Sequence, residues 1–375
     1  MKIARVESFL VPPRWCFVRV ESQDDWVGWG EAIIPKRARS VTGAIADLAE
    51  NILGRDPDRI EDLVLRMRAG GFFRRGPVLA TAMAAIEQAL WDLKGHRYGL
   101  PVFQFLGGRV RDHVNAYSGI GGDDLKTMIA QAESRVQQGF CGVKLGVPES
   151  FHYLEVPERT DRFIQLIAGL RQALGPTIAI AVDFHGRVHR AVARKLAHAL
   201  VPYDLLWIEE ALLPEHDDLQ PSVFDGIPIN LATGERLVDR WAFKHVLEER
   251  RVEIVQPDAS ITGLFELEKI ARMAEAYDVT VAPHCPNGPL CLAATLQVDA
   301  VLGNVVWQEY NLGIRDFSQY LENPEALLTD QGRLHTPTGP GLGITINEAA
   351  VRQAANGPLV KDPDWQHGDG TYAEW

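Results

Sequence analysis

Along the middle of the chain, short apolar runs end repeatedly on a polar side chain. Ile178-Ala179-Ile180-Ala181-Val182 runs into Asp183, Leu205-Leu206-Trp207-Ile208 into Glu209, and the stretch from Pro228 to Gly234 into Glu235. Val252 to Pro257 leads to Asp258, Val279 to Pro283 to His284, and Val305 to Gln308 to Glu309. These six residues lie 26, 26, 23, 26 and 25 positions apart. A strand of about five residues, a helix of about eleven and two short loops fill that period, so each step predicts one βα unit. Parallel strands joined through helices close into a barrel whose active site lies at the carboxyl ends of the strands. All six polar residues fall at that end.

The first two barrel strands are expected at Val114–Ser118 and Phe140–Gly146, with Gly142, Lys144 and Gly146 on one face because side chains alternate along a strand. The step from Lys144 to Asp183 is longer, at 39 residues, and the excess falls in the loop around 147–152. Loops on this face usually line a site. Ahead of the barrel the pattern differs. Residues 2–11 and 15–34 read as a small antiparallel unit with a polar turn at Ser22-Gln23-Asp24-Asp25. Helical periodicity follows over 40–53, 57–69 and 77–97, where Leu79, Met83, Ile86, Leu90 and Leu93 recur every three or four positions. Strands followed by helices predict an α+β unit ending near Gly107-Gly108. After Glu309 the alternation stops, and the Pro- and Gly-rich stretch 336–343 and the tail read as a return to that first unit.

Composition narrows the setting. A chain of 375 residues is long for one compact core, so two domains are expected. No apolar run approaches the roughly 20 residues needed to span a bilayer, and Met1–Glu7 mixes charge with apolar residues like a strand, unlike a signal peptide. Cys16, Cys141, Cys285 and Cys291 are too few and too scattered for a disulfide framework, which fits a reducing, cytoplasmic setting. The net charge of −12 offers no basic footprint for nucleic acid or anionic membrane. An anionic substrate therefore needs local positive charge.

Asp183, Glu209 and Glu235 would converge from neighbouring strands. Any one of them could simply cap the following helix, but three in register repel one another unless a cation neutralises them. Oxygen ligands alone suit Mg²⁺ or Mn²⁺. Side chains alternate along a strand, so Asp183 and His185 share one face, and His185 could protonate a leaving group or make a structural hydrogen bond. Asp258 on the adjacent strand could orient His284 and raise its basicity. Lys144 could contact a substrate carboxylate or act as a base, its pKa lowered by burial beside a cation. Together these groups suit removal of a weakly acidic proton next to a carboxylate.

Several stretches resemble the enolase superfamily, mandelate racemase subgroup: Val11-Pro12-Pro13-Arg14-Trp15, Gly28-Trp29-Gly30-Glu31, Gln88-Ala89-Leu90-Trp91-Asp92, Asp183-Phe184-His185-Gly186-Arg187, Gly234-Glu235-Arg236, Gln256-Pro257-Asp258, Ala282-Pro283-His284-Cys285-Pro286 and Ala373-Glu374-Trp375. The Asp-x-His pair is characteristic of its sugar-acid dehydratase branch. The resemblance implies a modified TIM barrel, (β/α)₇β, over 113–320. An α+β capping domain over 1–112 would be completed by a returning segment over 321–375. It implies that Asp183, Glu209 and Glu235 bind Mg²⁺, that His284 is the base tuned by Asp258, and that His185 is the acid expelling a 3-hydroxyl. Glu309 would hydrogen-bond an enediolate, and Lys144, Arg14 and Arg74 would contact substrate. The implied reaction is dehydration of an aldonate such as D-galactonate to a 2-keto-3-deoxy acid, in a homo-oligomer.

The chain departs from the family pattern at Gly146, where Asn or Lys is usual, and at Ala211, where Pro is usual. It departs again at Ser260-Ile261-Thr262-Gly263 and at the added Arg in Phe73-Arg74-Arg75-Gly76. Gly146 supplies no opposing base, which argues against racemisation. The alternatives are dehydration of another aldonate or aldarate, a non-eliminating epimerase or lactone cycloisomerase, and a metal-binding barrel without turnover.

Overall fold

In the computed structural model, which describes all residues except 123, 312–316, 356, 362–363 and 375, the chain opens on an antiparallel sheet. Its strands are β1 (Ile3–Val11), β2 (Trp15–Ser22) and β3 (Val27–Ala32), paired in that order. Against it pack α1 (Ala38–Glu50) and the long α3 (Pro77–Tyr98), with α2 (Ile60–Ala69) lying on α3, followed by the single turn α4 (Val102–Phe105). Two buried side chains of α3 tie it to β3. The Trp29 N–H donates to Asp92 Oδ2 (2.9 Å) and the Glu31 N–H to Gln88 Oε1 (3.0 Å). The sequence pattern predicts one apolar face over 77–97. The helix is instead buried almost all round between Ala80 and Leu93, because β3 covers one side and a barrel helix the other.

The barrel runs through β4 (His113–Ile120), α5 (Leu125–Gln137), β5 (Gly142–Gly146), α6 (Pro157–Leu174), β6 (Ala179–Asp183), α7 (Arg190–Leu200) and β7 (Trp207–Glu209). It continues through the short α8 (Gln220–Val223), β8 (Leu231–Thr233), α9 (Arg240–Glu248), β9 (Ile254–Val255), α10 (Ala259–Glu275), β10 (Thr280–Val281), α11 (Pro289–Asp299) and β11 (Trp307–Glu309). Strands β4 to β9 pair in parallel with their successors, and β11 returns beside β4. A parallel bridge between Val281 and Val305 closes the remaining gap. There the Val281 N–H donates to the Asn304 carbonyl (3.0 Å) and the Val306 N–H to the Val281 carbonyl (3.2 Å). Eight parallel strands with seven intervening helices make the expected (β/α)₇β barrel.

Tyr117, Ala181, Trp207, Ala232, Ile254 and Ala282 fill the barrel interior as one apolar layer. Side chains alternate along a strand, so Asp183 lies one inward step beyond Ala181 and Glu209 one beyond Trp207. The residues that make the core thereby aim the carboxylates.

Part of the C-terminal segment joins the barrel. β12 (Arg333–His335) pairs antiparallel with residues 113–115 of β4, an edge left open because β5 pairs with β4 only from Tyr117 onward. Farther along, α12 (Glu348–Ala354) meets the first sheet, with Glu348 Oε2 3.2 Å from Arg19 Nε, and just ahead of this segment the Tyr320 hydroxyl donates to the Pro12 carbonyl (2.8 Å). Of the terminal Ala373-Glu374-Trp375 motif, Trp375 lies outside the described residues. No helix among the described residues is long and apolar enough to cross a membrane.

Candidate active site

At the carboxyl rim the chain assembles five carboxylates, two imidazoles and one ammonium. Asp183 and Glu209 are direct neighbours in the β6–β7 register. Lys144, on β5, reaches between them, with Nζ 2.6 Å from Glu209 Oε1, 3.1 Å from Glu309 Oε1 and 3.7 Å from Asp183 Oδ2. The second oxygen of Glu209 accepts from Trp207 Nε1 (3.0 Å) and Gln256 Nε2 (2.9 Å). Burial works to lower the Lys144 pKa, but the Glu209, Glu309 and Asp183 carboxylates outweigh it and hold the value well above the ordinary lysine range.

His185 reaches the cluster differently from the strand-face argument. The strand ends at Asp183, and His185 sits at φ 54°, in the left-handed region. Its N–H donates to Asp183 Oδ1 (2.7 Å), which folds the chain back and turns the ring inward. The His185 Nε2 lies 3.9 Å from Glu235 Oε1, while its buried Nδ1 has no hydrogen-bond partner. Burial, then Arg187 and Arg236, pulls its pKa down to about 3.

His284 approaches from the other side, with Nε2 3.2 Å from Glu235 Oε2 and Nδ1 2.7 Å from Asp258 Oδ2. Burial favours the neutral ring, but Glu235, Glu309 and Asp258 prevail and raise its pKa to about 10. Asp258 also caps α10 by accepting the Ser260 N–H (2.7 Å). Glu309 accepts the Cys285 N–H (2.8 Å). Against burial, Lys144 and His284 hold the Glu309 carboxyl below its usual range.

Among the described residues, one group brings candidate ligand atoms within 4.8 Å of one another: Asp183, His185 and Glu235. Glu209 stands beside this group, engaged by Lys144, Trp207 and Gln256. The donor set fits a hard divalent cation on two counts. Glu235 Oε2 is buried, faces the His284 ring nitrogen at 3.2 Å and makes no well-aligned hydrogen bond, and Asp183 is driven well above its usual pKa by burial and then by Glu209 and Glu235, with Lys144 opposing. Such crowding calls for a positive charge.

Arg14 and Arg74 each line a cavity. Arg14 lines a cavity of about 260 Å³ with Ile34, Lys36 and Val360. Arg74 lines another of about 270 Å³ with Arg68, Asp239, Trp241 and Thr262. Neither lining includes Asp183, His185, Glu235 or His284. The sequence reading missed Asn287, whose Nδ2 donates to both oxygens of Asp258 (2.8 and 2.9 Å). An amide three positions after His284 was the available signal. The long loop after β5 meets the C-terminal tail, where His152 stacks on His367 with ring centroids 3.8 Å apart. Arg187 in turn lies over Trp365, 4.2 Å from its ring centroid.

Residues 12–107 match the family described as mandelate racemase / muconate lactonizing enzyme, N-terminal domain, and residues 127–350 match the family described as enolase C-terminal domain-like. Relatives named D-galactonate dehydratase, from Pectobacterium atrosepticum and Ralstonia pickettii, are each 41% identical over 382 aligned positions covering 100% of both chains. Among solved structures, a mandelate racemase/muconate lactonizing enzyme-like protein from Rubrobacter xylanophilus superposes with a TM-score of 0.89 at 27% identity, covering 100% of this chain and 99% of that one. An enolase from Agrobacterium radiobacter, solved with bound sodium and L-malate and an ordered active site, superposes with a TM-score of 0.90 at 29% identity over 100% of both chains.

Proposed function

The chain belongs to the mandelate racemase / muconate lactonizing enzyme family of the enolase superfamily, and from that membership we propose that it is a Mg²⁺-dependent acid-sugar dehydratase acting on D-galactonate. The observation that carries this reading is the convergence of two imidazoles on opposite oxygens of one carboxylate, His284 on Glu235 Oε2 and His185 on Glu235 Oε1. Elimination of water needs a base for one proton and an acid for the leaving hydroxyl. A single-base exchange needs only the first.

Asp183, Glu209 and Glu235 are assigned to the ion. When bound, Mg²⁺ would neutralise these carboxylates and offset the negative charge that grows on the substrate carboxylate as its α-proton leaves. His284 takes that proton. Its Nδ1 is fixed by Asp258, so Nε2 is the atom presented to substrate, and neutralising Glu235 brings the His284 pKa down towards the range of a useful base. The C–H electrons move into the enediolate. Glu309 has its oxygens engaged by Cys285 and Lys144, so the donor we assign to the enediolate is the Lys144 ammonium that Glu309 and Glu209 hold. The enediolate electrons then form the C2=C3 bond as the C3–O bond breaks with its electron pair, and the oxygen leaves as water with a proton from His185. His185 is neutral in the free protein. An anionic substrate beside it raises its pKa towards the imidazolium form. The enol released tautomerises to the 2-keto-3-deoxy acid.

A two-base epimerase is disfavoured at β5. Gly146 carries no side chain, so no opposing base stands there, and the carboxylates around Lys144 hold it as an ammonium, a donor but not a base. The test is incubation with D-galactonate and Mg²⁺ in D₂O. The wild-type enzyme should form α-keto acid. His284→Ala should abolish α-proton exchange, and His185→Ala should stop dehydration while leaving exchange. Retained exchange in His284→Ala would show the base to be another residue. Exchange or inversion by the wild-type enzyme without keto acid would favour the epimerase.

A further inference from the structure

We propose that Glu31, at the end of β3 in the N-terminal sheet, is a positioning residue for His284 in the barrel. Glu31 is fully buried. Its Oε1 accepts the Gly288 N–H at 2.7 Å and its Oε2 the Cys291 N–H at 3.1 Å. These are the N-cap residue and a first-turn residue of α11, a helix start with no capping side chain of its own. The first four N–H groups of a helix lack internal partners, and a carboxylate there also meets the favourable end of the helix dipole. For α11 that carboxylate comes from 257 residues away in the chain. The fit is close: a Cβ on Gly288 would lie 2.5 Å from Glu31 Oε1.

Residues 284–288 are consequently pinned at both ends. At one end His284 and Asn287 both bond to Asp258. At the other, Gly288, directly after Asn287, bonds to Glu31, and the Cys285 N–H between them is taken by Glu309. Both Glu31 oxygens engage backbone N–H groups at the start of α11. Glu31 fixes where the turn begins its helix, and hence where Asn287 and His284 can sit relative to Asp258.

This inference rests on the assignment of His284 as the base, and its test separates the two. The Mg²⁺-loaded full-length Glu31→Gln enzyme is compared with Asp92→Asn. Asp92 is another buried carboxylate holding two backbone amides, those of Trp29 and Leu342, but with no contact to the 284–288 turn. Glu31→Gln should lower kcat by about 10- to 100-fold with KM within about twofold, as expected when a supporting hydrogen bond lets a catalytic group drift. It should also speed amide hydrogen exchange in the peptide spanning 284–291. Asp92→Asn should lower the melting temperature, with kcat per folded enzyme within about twofold of wild type and exchange over 284–291 unchanged. Gly288→Ala displaces the same contact from the barrel side and should reproduce the Glu31→Gln pattern, which keeps the test decisive if Glu31→Gln does not fold. Unchanged exchange over 284–291, or a kcat loss matching that of Asp92→Asn, overturns the proposal. If the wild-type enzyme turns over no sugar acid, the functional reading fails while hydrogen exchange still judges Glu31.

Discussion

Asn287 donates to both oxygens of Asp258, and Asp258 in turn accepts from His284 Nδ1. The Ser260 N–H already holds Oδ1, and Asn287 bridges both oxygens, which fixes the edge that the carboxylate presents to the imidazole. Partners one step removed from a reacting group are worth about 10- to 100-fold in rate or metal affinity. Asn287→Ala should therefore reduce kcat by that order. Divalent-ion affinity, measured by calorimetry, should stay within about twofold, because Asn287 contacts none of Asp183, Glu209 and Glu235. A parallel loss of ion affinity would place its action on the acidic cluster instead. Residues of this kind are hard to find from sequence. Asp183, Glu209 and Glu235 announce themselves by spacing at strand ends, while Asn287 lies in a turn and acts only through where the chain folds.

Helix α10 is bent where Gly263 adopts φ 78° and ψ 174°. The break strands the N–H groups of the next turn, and Glu87, on α3, meets them: its Oε1 accepts from Phe265 N–H (3.0 Å) and from Trp91 Nε1 (2.6 Å). A Cβ at Gly263 would lie 1.9 Å from Glu87 Oε2. Gly263→Ala combines an unfavourable backbone region with a clash inside the core, and should cost about 3 kcal/mol of stability in urea unfolding. Glu87 also makes the stability pH-dependent. Burial outweighs the Phe265 and Trp91 hydrogen bonds and pushes its carboxyl up to about 8, so between the ordinary glutamate value and pH 8 the folded chain keeps a proton that the unfolded chain has lost. Its contribution is therefore present in full at low pH, falls as pH rises from about 4.5 to 8, and is level beyond. Melting temperatures across that range should decline less steeply for Glu87→Gln than for wild type. An identical slope would mean that Glu87 is ionised throughout.

At the scale of the whole molecule, the barrel was legible because its strands carry a period that only parallel βα units produce, and the small sheet because its turn is polar. Other features arise only when distant segments meet. The pairing of β12 with β4 follows from an edge left open by the β4–β5 register, and the burial of α3 on both sides follows from its place between β3 and α10. Lys144 was legible as a rim residue, but its grip on Glu209, Glu309 and Asp183 depends on how far each carboxylate leans inward. Because α3 is core to both lobes, and Glu31 and Gln88 bridge from it and from β3 to α10 and α11, the two lobes should unfold together. A ligand that binds only the folded chain stabilises it by about 2.7 kcal/mol at a hundred times its Kd. For a cooperative unit of this length that corresponds to a rise in Tm of about 3 °C. Saturating Mg²⁺ should thus shift one calorimetric transition upward as a whole, and EDTA should reverse the shift. Asp183→Asn should abolish the Mg²⁺ response, and it should raise the melting temperature measured in EDTA, because one of the crowded carboxylates is gone. Two transitions, with only the second responding to Mg²⁺, would mean that the sheet–helix lobe melts independently of the barrel.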